Sequence, residues 1–384
     1  MATGGGSLAF SSLLTTPGAS RSVLETVVPY SSAALCQYLK SRPEQFCSEL
    51  TARQMAMAAY QRALAYEATE ATDTSAAPRT EVVVAGIGCT CSLASDRPKR
   101  GAHRVHCAAQ TGELTATASL DLTKDARSRL EEEAIAATMI LNLAALVAGV
   151  TERVPASLKP GEQIEEHFVT APTAWRQLFS GERKLASGVG DAEPAAVGNH
   201  STGGPNRGRA IFPGAFHPLH AGHLEMAAVA QRQLQTPVEW EISIANVDKP
   251  PLDYREMELR GQQFANDRFS GKAQLWFTWA PTFAEKSEIF PHSTFLVGAD
   301  TIARIAEPRY YQDDAAARDA AVAKIAANGC RFLVFGRTTD SGFRTSADLD
   351  LPPALRALCE DVPEAAFHHD ISSTEIRRQA THEG

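Results

Sequence analysis

The sequence has no long block of basic residues. It carries 37 Lys and Arg against 45 Asp and Glu, a formal net charge of −8, and no basic run is longer than Lys99–Arg100. Nucleic acids and anionic membranes attract proteins through dense positive charge. We therefore expect neither a nucleic acid nor a membrane surface as a partner.

Cysteines are few and odd in number. Seven are spread over 384 residues, whereas a secreted disulfide scaffold has a dense, even set. This pattern indicates a reducing compartment, with the cytoplasm as the default. Cys89 and Cys91 lie near His103, His106 and Cys107. Their spacing matches no standard zinc motif, and we interpret them as a Cys-lined loop without a metal.

No apolar run is long enough to cross a bilayer. The longest, Ala134–Val150, contains Thr138 and Asn142 and falls short of the roughly 20 residues required, so it predicts a buried core helix. Residues 1–24 contain no acid and are rich in Ser and Thr, as transit peptides are, but Arg21 is their only arginine. Organellar targeting is the alternative to a cytoplasmic location.

The chain is long enough for two domains, at roughly 100 to 200 residues each. Its first part has a helical apolar pattern at Thr51–Ala65, a β-branched run at Glu81–Gly86 and an alternating run at His103–Gln110. A charged turn and a helix follow. These patterns predict an N-terminal α/β domain over residues 1–186, with its core in residues 1–150.

Residues 187–207 are rich in Gly, Ser, Pro and Asn and show no apolar period, which is typical of a flexible linker. Beyond it, residues 208–384 alternate strands with helices, and such alternation predicts a parallel, doubly wound sheet. The fold class we expect is α/β, in two domains. The clearest elements of the second domain are a helix and four strands, at Ala221–Leu234, Arg209–Pro213, Glu241–Val247, Phe295–Val297 and Arg331–Phe335.

One motif stands out in the second domain. Residues 214–223 read GAFHPLHAGH, with the pattern G-x-F-x-P-x-H-x-G-H. A strand leads through a Gly/Pro-shaped turn into a helix that begins near His220, so free backbone N–H groups and the positive end of the helix dipole converge on one spot. His220 and His223 share one face of the first turn, and Gly222 leaves room for a ligand. This arrangement predicts a phosphate site.

A second anion site is predicted near the C-terminus, where residues 371–378 read ISSTEIRR. Ser372 and Glu375 alone form a capping-box pattern, which is a common structural device. A capped helix start that carries two hydroxyls, with Arg377 one turn in, can also grip an anion. Together with the first motif, the pattern favours the functional interpretation.

The pair of motifs resembles the HxGH nucleotidyltransferase superfamily, and FLVGADTIARI at residues 295–305 is most similar to its nicotinate or nicotinamide mononucleotide adenylyltransferases. The resemblance covers residues 208–384. It implies a Rossmann-like domain that transfers an adenylyl group from ATP to a phosphorylated acceptor, here a pyridine mononucleotide, with release of pyrophosphate. The site residues that it implies are His220, His223 and Arg377 for catalysis, and Gly214, Phe216, Gly222, Gly298, Asp300, Ser373 and Thr374 for the nucleotide and its phosphates.

This chemistry needs little beyond positioning. The acceptor phosphate has a second pKa near ~6, so it is ionised at neutral pH and requires no general base. Imidazoles, Arg377, helix N-termini and Mg²⁺ would neutralise the charge that grows on the transferred group and on pyrophosphate. We predict direct in-line transfer, with Mg²⁺ carried by the nucleotide because no carboxylate cage is visible in the sequence.

The motifs indicate the identity of the acceptor less clearly than they indicate the phosphate sites. Lys249 sits where some superfamily members place a basic substrate-binding residue, and Trp276 and Trp279 offer aromatic faces on which a pyridine ring could stack. Two alternatives stay open. One is transfer from ATP or CTP to phosphopantetheine or a phospho-alcohol, and the other is a non-catalytic nucleotide sensor. A homo-oligomer is compatible with each.

Residues 1 to about 150 resemble the CinA C-terminal domain family, some members of which deamidate nicotinamide mononucleotide. The matching stretches are Thr3–Ser20, Val27–Ser32, Val82–Gly88 and Arg97–Ala109. The family's nucleophilic Ser falls near Thr3 or Gly4 here, and its Lys falls at Leu35. The resemblance therefore implies a degenerate deamidase, or a binding or structural domain. Groups that could replace the missing ones are Thr3, Ser7, Tyr30 and Ser31.

Overall fold

The chain forms two compact units. Unit 1 comprises Met1–Pro172 and Asn246–Met257, and unit 2 comprises Thr173–Ala245 and Glu258–Gly384. The linker expected at residues 187–207 lies almost entirely outside the described residues. The computed structural model describes residues 1–71, 83–96, 100–188, 208–246, 249–265, 273–339 and 342–367.

Unit 1 is built on a five-stranded sheet. Its strands are Ala2–Thr3 (β1), Ala85–Ser92 (β2), His103–Thr111 (β3), Leu114–Leu122 (β4) and Glu165–Thr170 (β5). Its helices are Leu8–Leu14 (α1), Ser32–Leu39 (α2), Glu49–Ala71 (α3) and Arg129–Val147 (α4). The strands are ordered β1-β2-β3-β4-β5, with β1 parallel to β2 and the other neighbours antiparallel.

Helices α3 and α4 cover opposite faces of this sheet. Cys107 packs in one cluster with Ile140 of α4, whereas the next strand residue, Ala108, packs with Ala52 of α3, as the alternation of a strand requires. A Cβ on Gly88 would lie 2.3 Å from the carbonyl oxygen of Ala52. Only glycine therefore allows α3 to approach β2 this closely.

Three of the cysteines lie on paired strands and not in a loop, which corrects our interpretation. The Sγ of Cys89 lies 3.4 Å from that of Cys91 and 3.3 Å from that of Cys107, and all three are buried. They belong to the core beneath α4. Nδ1 of His103 lies 2.8 Å from Oε1 of Glu132. Within the described residues, no group of His, Cys, Asp and Glu is suited to a metal ion.

Unit 2 is built on a seven-stranded sheet. Its strands are Leu185–Ser187 (β6), Ala210–Pro213 (β7), Val238–Ser243 (β8), Leu275–Thr278 (β9), Thr294–Gly298 (β10), Arg331–Phe335 (β11) and Cys359–Val362 (β14), and a separate hairpin joins Arg337–Thr339 (β12) to Gly342–Arg344 (β13). The helices are Thr173–Ser180 (α5), Ala221–Leu234 (α6), Tyr254–Phe264 (α7), Phe283–Ile289 (α8), Ala299–Ala306 (α9), Ala315–Ala327 (α10) and Pro353–Arg356 (α11).

The strand order of unit 2 is β14-β11-β10-β7-β8-β9-β6. All neighbours are parallel except β6, which is antiparallel to β9. The chain runs outward from β7 through β8 to β9 and then returns to the other side of β7 for β10, β11 and β14. This is the doubly wound, Rossmann-like order, and it places a crevice between the carboxyl ends of β7 and β10. The expected α/β fold class is confirmed.

The boundaries of several elements differ from expectation. Among the described residues, β2 begins at Ala85, later than the run predicted at Glu81–Gly86. Strand β8 begins at Val238, earlier than the predicted Glu241–Val247. The prediction treats the charged Glu241 as the exposed start of the strand, but its side chain is buried in an ion pair with Lys286 and lies within the strand. Two helices also differ from the expected domain boundaries, because α5 belongs to unit 2 and the first turn of α7 belongs to unit 1.

Asn246–Met257, predicted within the second domain, belongs to unit 1, and Thr173–Ala245 belongs to unit 2 although the N-terminal domain is predicted to extend to residue 186. The reason is that β6 pairs with β9 and so adds an edge strand to the second sheet. The expected core helix at Ala134–Val150 is confirmed as most of α4. In the part of the chain that the structure describes, no helix is both long and apolar enough to span a membrane.

Candidate active site

The turn after β7 is shaped by a glycine and a buried aromatic ring. Helix α6 begins at Ala221, with His220 in an extended conformation at its N-cap. A Cβ on Gly214 would lie 2.6 Å from the ring of Phe216, which is 1% exposed. Phe216 has a φ of 45°, a left-handed conformation that residues other than glycine rarely adopt. Packing of its ring beside Gly214 therefore holds the turn.

Two side chains of helix α7 bind the same turn. The Oε1 of Gln263 accepts the N–H of Leu219 at 2.7 Å, and its Nε2 donates to the carbonyl oxygen of Phe216 at 3.1 Å. Nη1 of Arg260 donates to the carbonyl oxygen of Ala215 at 3.0 Å. These bonds satisfy backbone groups of the turn that no strand or helix pairs.

His220 and His223 lie face to face at the start of α6. Their rings are stacked with centroids 3.7 Å apart, and the backbone N–H of His220 donates to Nδ1 of His223 at 3.3 Å. Because Nδ1 accepts, the neutral ring of His223 carries its proton on Nε2. Burial, with a smaller contribution from His220, lowers the pKa of His223 from 6.5 to about 3. His223 is therefore a neutral hydrogen-bond donor at physiological pH.

A cavity of about 300 Å³ lies at the crevice between β7 and β10. The carboxyl ends of β7, β10 and β11 and the first turns of α6 and α9 form its walls. Two helix N-termini thus offer backbone N–H groups to an anion, and the volume is at the lower end of small-molecule sites. The predicted site residues that line it are Gly214, Phe216, His220, Gly222, His223, Gly298 and Asp300.

Sequence reasoning missed several side chains of this cavity. Nη1 of Arg337 lies 2.7 Å from Oδ2 of Asp300, and both side chains are about half exposed or more. A signal was present, because Arg337 follows directly after the buried strand β11, and the carboxyl ends of neighbouring parallel strands meet at one edge. The unpredicted side chains include those of Met226, Thr301, Phe335, Arg337 and Phe367.

The three residues expected to bind the acceptor are absent from the lining of this cavity. Trp276 is 5% exposed and its indole N–H donates to Glu239 at 2.6 Å, while Trp279 packs edge-on against Phe179. Neither lines the cavity, because both lie in or next to β9, which β8 separates from β7. Lys249 is exposed and belongs to unit 1.

Of the four residues suggested for the N-terminal domain, Thr3, Ser7 and Ser31 form separate hydrogen bonds. Thr3 donates to a backbone carbonyl at 2.9 Å, and Ser7 donates to the carboxylate of Glu133 at 2.8 Å. Ser31 accepts a backbone N–H as the N-cap of α2. The side chain of Tyr30 is 70% exposed. Within the described residues, no hydrogen bond joins two of the four, so no nucleophile and base from that set are in contact there.

The sheet order and the histidine pair agree with a known family. Residues 211–379 match the family model of cytidylyltransferase-like proteins. The C-terminal part of the chain carries a cytidylyltransferase-like domain. This match supports a nucleotidyltransferase activity in general, and it spans Ser373, Thr374 and Arg377, which lie outside the described residues. No curated protein matches the chain.

Proposed function

We propose that unit 2 transfers an adenylyl group from ATP to nicotinate or nicotinamide mononucleotide and releases pyrophosphate. The observation that carries the proposal is the stacked pair of His220 and His223 at the start of α6, within a cavity at the switch point of a cytidylyltransferase-like domain. The similarity of residues 295–305 to pyridine mononucleotide adenylyltransferases supports this choice of donor and acceptor.

The site would act by positioning and electrostatics. Neutral His223 presents a fixed N–H donor at Nε2, and a preorganised donor stabilises developing negative charge without reorganisation. The first turn of α6 adds backbone N–H groups. The acceptor phosphate attacks the α-phosphorus of the nucleotide while the bond to pyrophosphate breaks, and no proton needs to be removed from the ionised acceptor. Arg377 is the proposed partner of the departing pyrophosphate.

The cavity offers little to hold a metal ion by itself. Among the described residues that line it, Asp300 is the one carboxylate, and Arg337 binds it at 2.7 Å. Mg²⁺ favours several oxygen ligands and commonly binds through substrate phosphates. We therefore propose that Mg²⁺ enters with the triphosphate, and we assign no step to an ion held by the protein.

Pyrophosphate release tests the donor and the acceptor together. The purified chain is incubated with Mg²⁺ and either ATP or CTP, across nicotinate mononucleotide, nicotinamide mononucleotide, phosphopantetheine and phosphocholine. We expect release with ATP and one of the pyridine mononucleotides, and loss of that release in His223→Ala. Release with CTP and phosphocholine would overturn the proposed substrates. ATP binding without release for any acceptor would favour a nucleotide sensor, in which His220→Ala changes affinity alone.

For unit 1 we propose a degenerate deamidase domain that binds a ligand rather than hydrolysing it. The carboxylate of Glu133, which Ser7 contacts, also accepts the backbone N–H groups of Ser7 at 2.6 Å and Leu8 at 3.4 Å. These bonds occupy the oxygen that a general base would use. Ammonia release from nicotinamide mononucleotide tests this, and release that disappears in Ser7→Ala would contradict the proposal.

A further inference from the structure

The motif turn, residues 214–220 between β7 and α6, leads to the two histidines of the site. It belongs to unit 2, and so do the residues of α7 from 258 onward. Its backbone is strained at Phe216, whose φ is 45°, and such strain persists only where surrounding contacts hold it. The contacts that hold this turn therefore decide where His220 and His223 lie.

The side-chain amide of Gln263 spans the turn. Its Oε1 accepts the backbone N–H of Leu219 at 2.7 Å, and its Nε2 donates to the carbonyl oxygen of Phe216 at 3.1 Å. These partners fix the orientation of the amide, because a backbone N–H can only donate and a carbonyl oxygen can only accept. An ionised carboxylate of the same shape has no donor for the carbonyl of Phe216. The site therefore requires one donor and one acceptor from a single side chain.

The two bonded residues lead to different histidines. Leu219 directly precedes His220, the N-cap of α6. The ring of Phe216 packs edge-on against the imidazole of His223, with centroids 5.0 Å apart. The two imidazoles are in turn stacked on each other at 3.7 Å. The amide of Gln263 thus acts on both rings of the pair, on one through the backbone and on the other through an aromatic contact.

We propose that Gln263 is a positioning residue for nucleotidyl transfer, whose amide holds the motif turn so that His220 and His223 face the nucleotide. The inference rests on the proposed function of unit 2. Gln263 is absent from the lining of the cavity, so it acts through the turn and not on the substrate. Such an indirect role has a large effect, since a misplacement of about 1 Å can cost about 100-fold in rate.

Two substitutions of similar size separate the two bonds. Gln263→Met removes the donor and leaves only a weakly accepting sulfur. Gln263→Glu keeps an acceptor for Leu219, and its carboxyl group regains a donor for Phe216 only when it is protonated. The control for the added charge is Gln262→Glu, at the neighbouring exposed position of the same helix.

Each full-length variant is measured for the kcat and KM of pyrophosphate release with ATP and a pyridine mononucleotide, at pH 7.5 and at pH 5.5. Amide hydrogen exchange of Leu219 is followed by NMR, and a melting temperature above the assay temperature confirms that the variant is folded. At pH 7.5 we expect both substitutions of Gln263 to lower kcat by about 3- to 10-fold, as the loss of one or two hydrogen bonds implies. KM for ATP should stay within twofold of the wild type, because the substrate keeps its own contacts.

The pH dependence distinguishes a lost hydrogen bond from a general loss of structure. A glutamate has an ordinary pKa near ~4.3, and a facing carbonyl oxygen favours its protonated form. The kcat of Gln263→Glu relative to the wild type should therefore rise from pH 7.5 to pH 5.5, whereas that of Gln263→Met should stay constant. Titration of His220 and His223 and the charge of Arg260 are common to all variants and cancel in these ratios.

Exchange of the Leu219 N–H should be faster in Gln263→Met and remain slow in Gln263→Glu, which still accepts it. Unchanged kcat in both variants of an active enzyme would overturn the inference, and so would an equal loss in Gln262→Glu or a ratio for Gln263→Glu that does not change with pH. A wild type that releases no pyrophosphate would instead refute the proposed function, while faster exchange of Leu219 in Gln263→Met would still support the hold of Gln263 on the turn.

Discussion

The neutrality of His223 is the electrostatic basis of the proposed mechanism, and it can be measured directly. The pKa of His223 is lowered from 6.5 to about 3, first by burial and then by His220. Its imidazole resonance in NMR should therefore show no inflection between pH 8 and pH 5. The resonance is assigned by its loss in His223→Asn, a variant whose side-chain oxygen can still accept the N–H of His220.

The same shift makes stability depend on pH. The folded state takes up a proton at His223 only near pH 3, whereas the unfolded chain does so near pH 6.5, so stability falls as the pH drops below about 6.5. At 1.36 kcal/mol for each pKa unit, the cost reaches about 2 kcal/mol at pH 5. The four tryptophans of the chain all lie in unit 2, so urea unfolding followed by tryptophan fluorescence reports on that unit.

The comparison with His223→Asn isolates this single group. Between pH 7 and pH 5 the wild type should lose about 2 kcal/mol more than the variant, which has no proton to accept at this position. A titration of His223 near pH 6.5, or the same pH dependence in both proteins, would refute the account of a buried neutral donor.

Three substitutions test other parts of the structure. Lys286→Met leaves the carboxylate of Glu241 buried without its ion-pair partner at 2.7 Å. It should lower the free energy of unfolding in urea by about 3–5 kcal/mol, and the double variant with Glu241→Gln should recover part of that loss. Gly88→Ala places a methyl 2.3 Å from a backbone oxygen of α3 and should lower the melting temperature of unit 1, followed by circular dichroism. A fall of less than a few degrees would contradict the close packing. Phe216→Ala removes a buried ring and should cost about 3–5 kcal/mol and abolish pyrophosphate release; a stable, active variant would show that the ring does not hold the turn.

Local signals in the sequence were sufficient for the elements around the motif. Helix α6 occupies Ala221–Leu234 and β11 occupies Arg331–Phe335, as predicted, because apolar periodicity and flanking glycine and proline act within a few residues. Five residues of the motif line one cavity for the same reason: Gly214, Phe216, His220, Gly222 and His223. Each of these features depends on neighbours close in the chain.

Features that depend on distant neighbours were not predictable. Trp276 is predicted to be a stacking surface but packs in the core, because the strand order places β8 between its strand, β9, and the crevice beside β7. The sequence shows that Arg337 follows a predicted strand, but its place in the cavity depends on the pairing of β11 with β10, which no local pattern encodes. The assignment of Asn246–Met257 to unit 1 depends on Arg53, about 200 positions earlier in the chain.

Direct detection of the product tests the central claim most sharply. The wild type and His223→Asn are incubated with ATP, Mg²⁺ and a pyridine mononucleotide, and the dinucleotide is quantified by mass spectrometry beside the pyrophosphate. We expect equal amounts of the two products from the wild type. A loss of about 100-fold or more is expected in the variant, the usual cost of removing a preorganised donor. Pyrophosphate without dinucleotide, or undiminished product from His223→Asn, would contradict nucleotidyl transfer at this site.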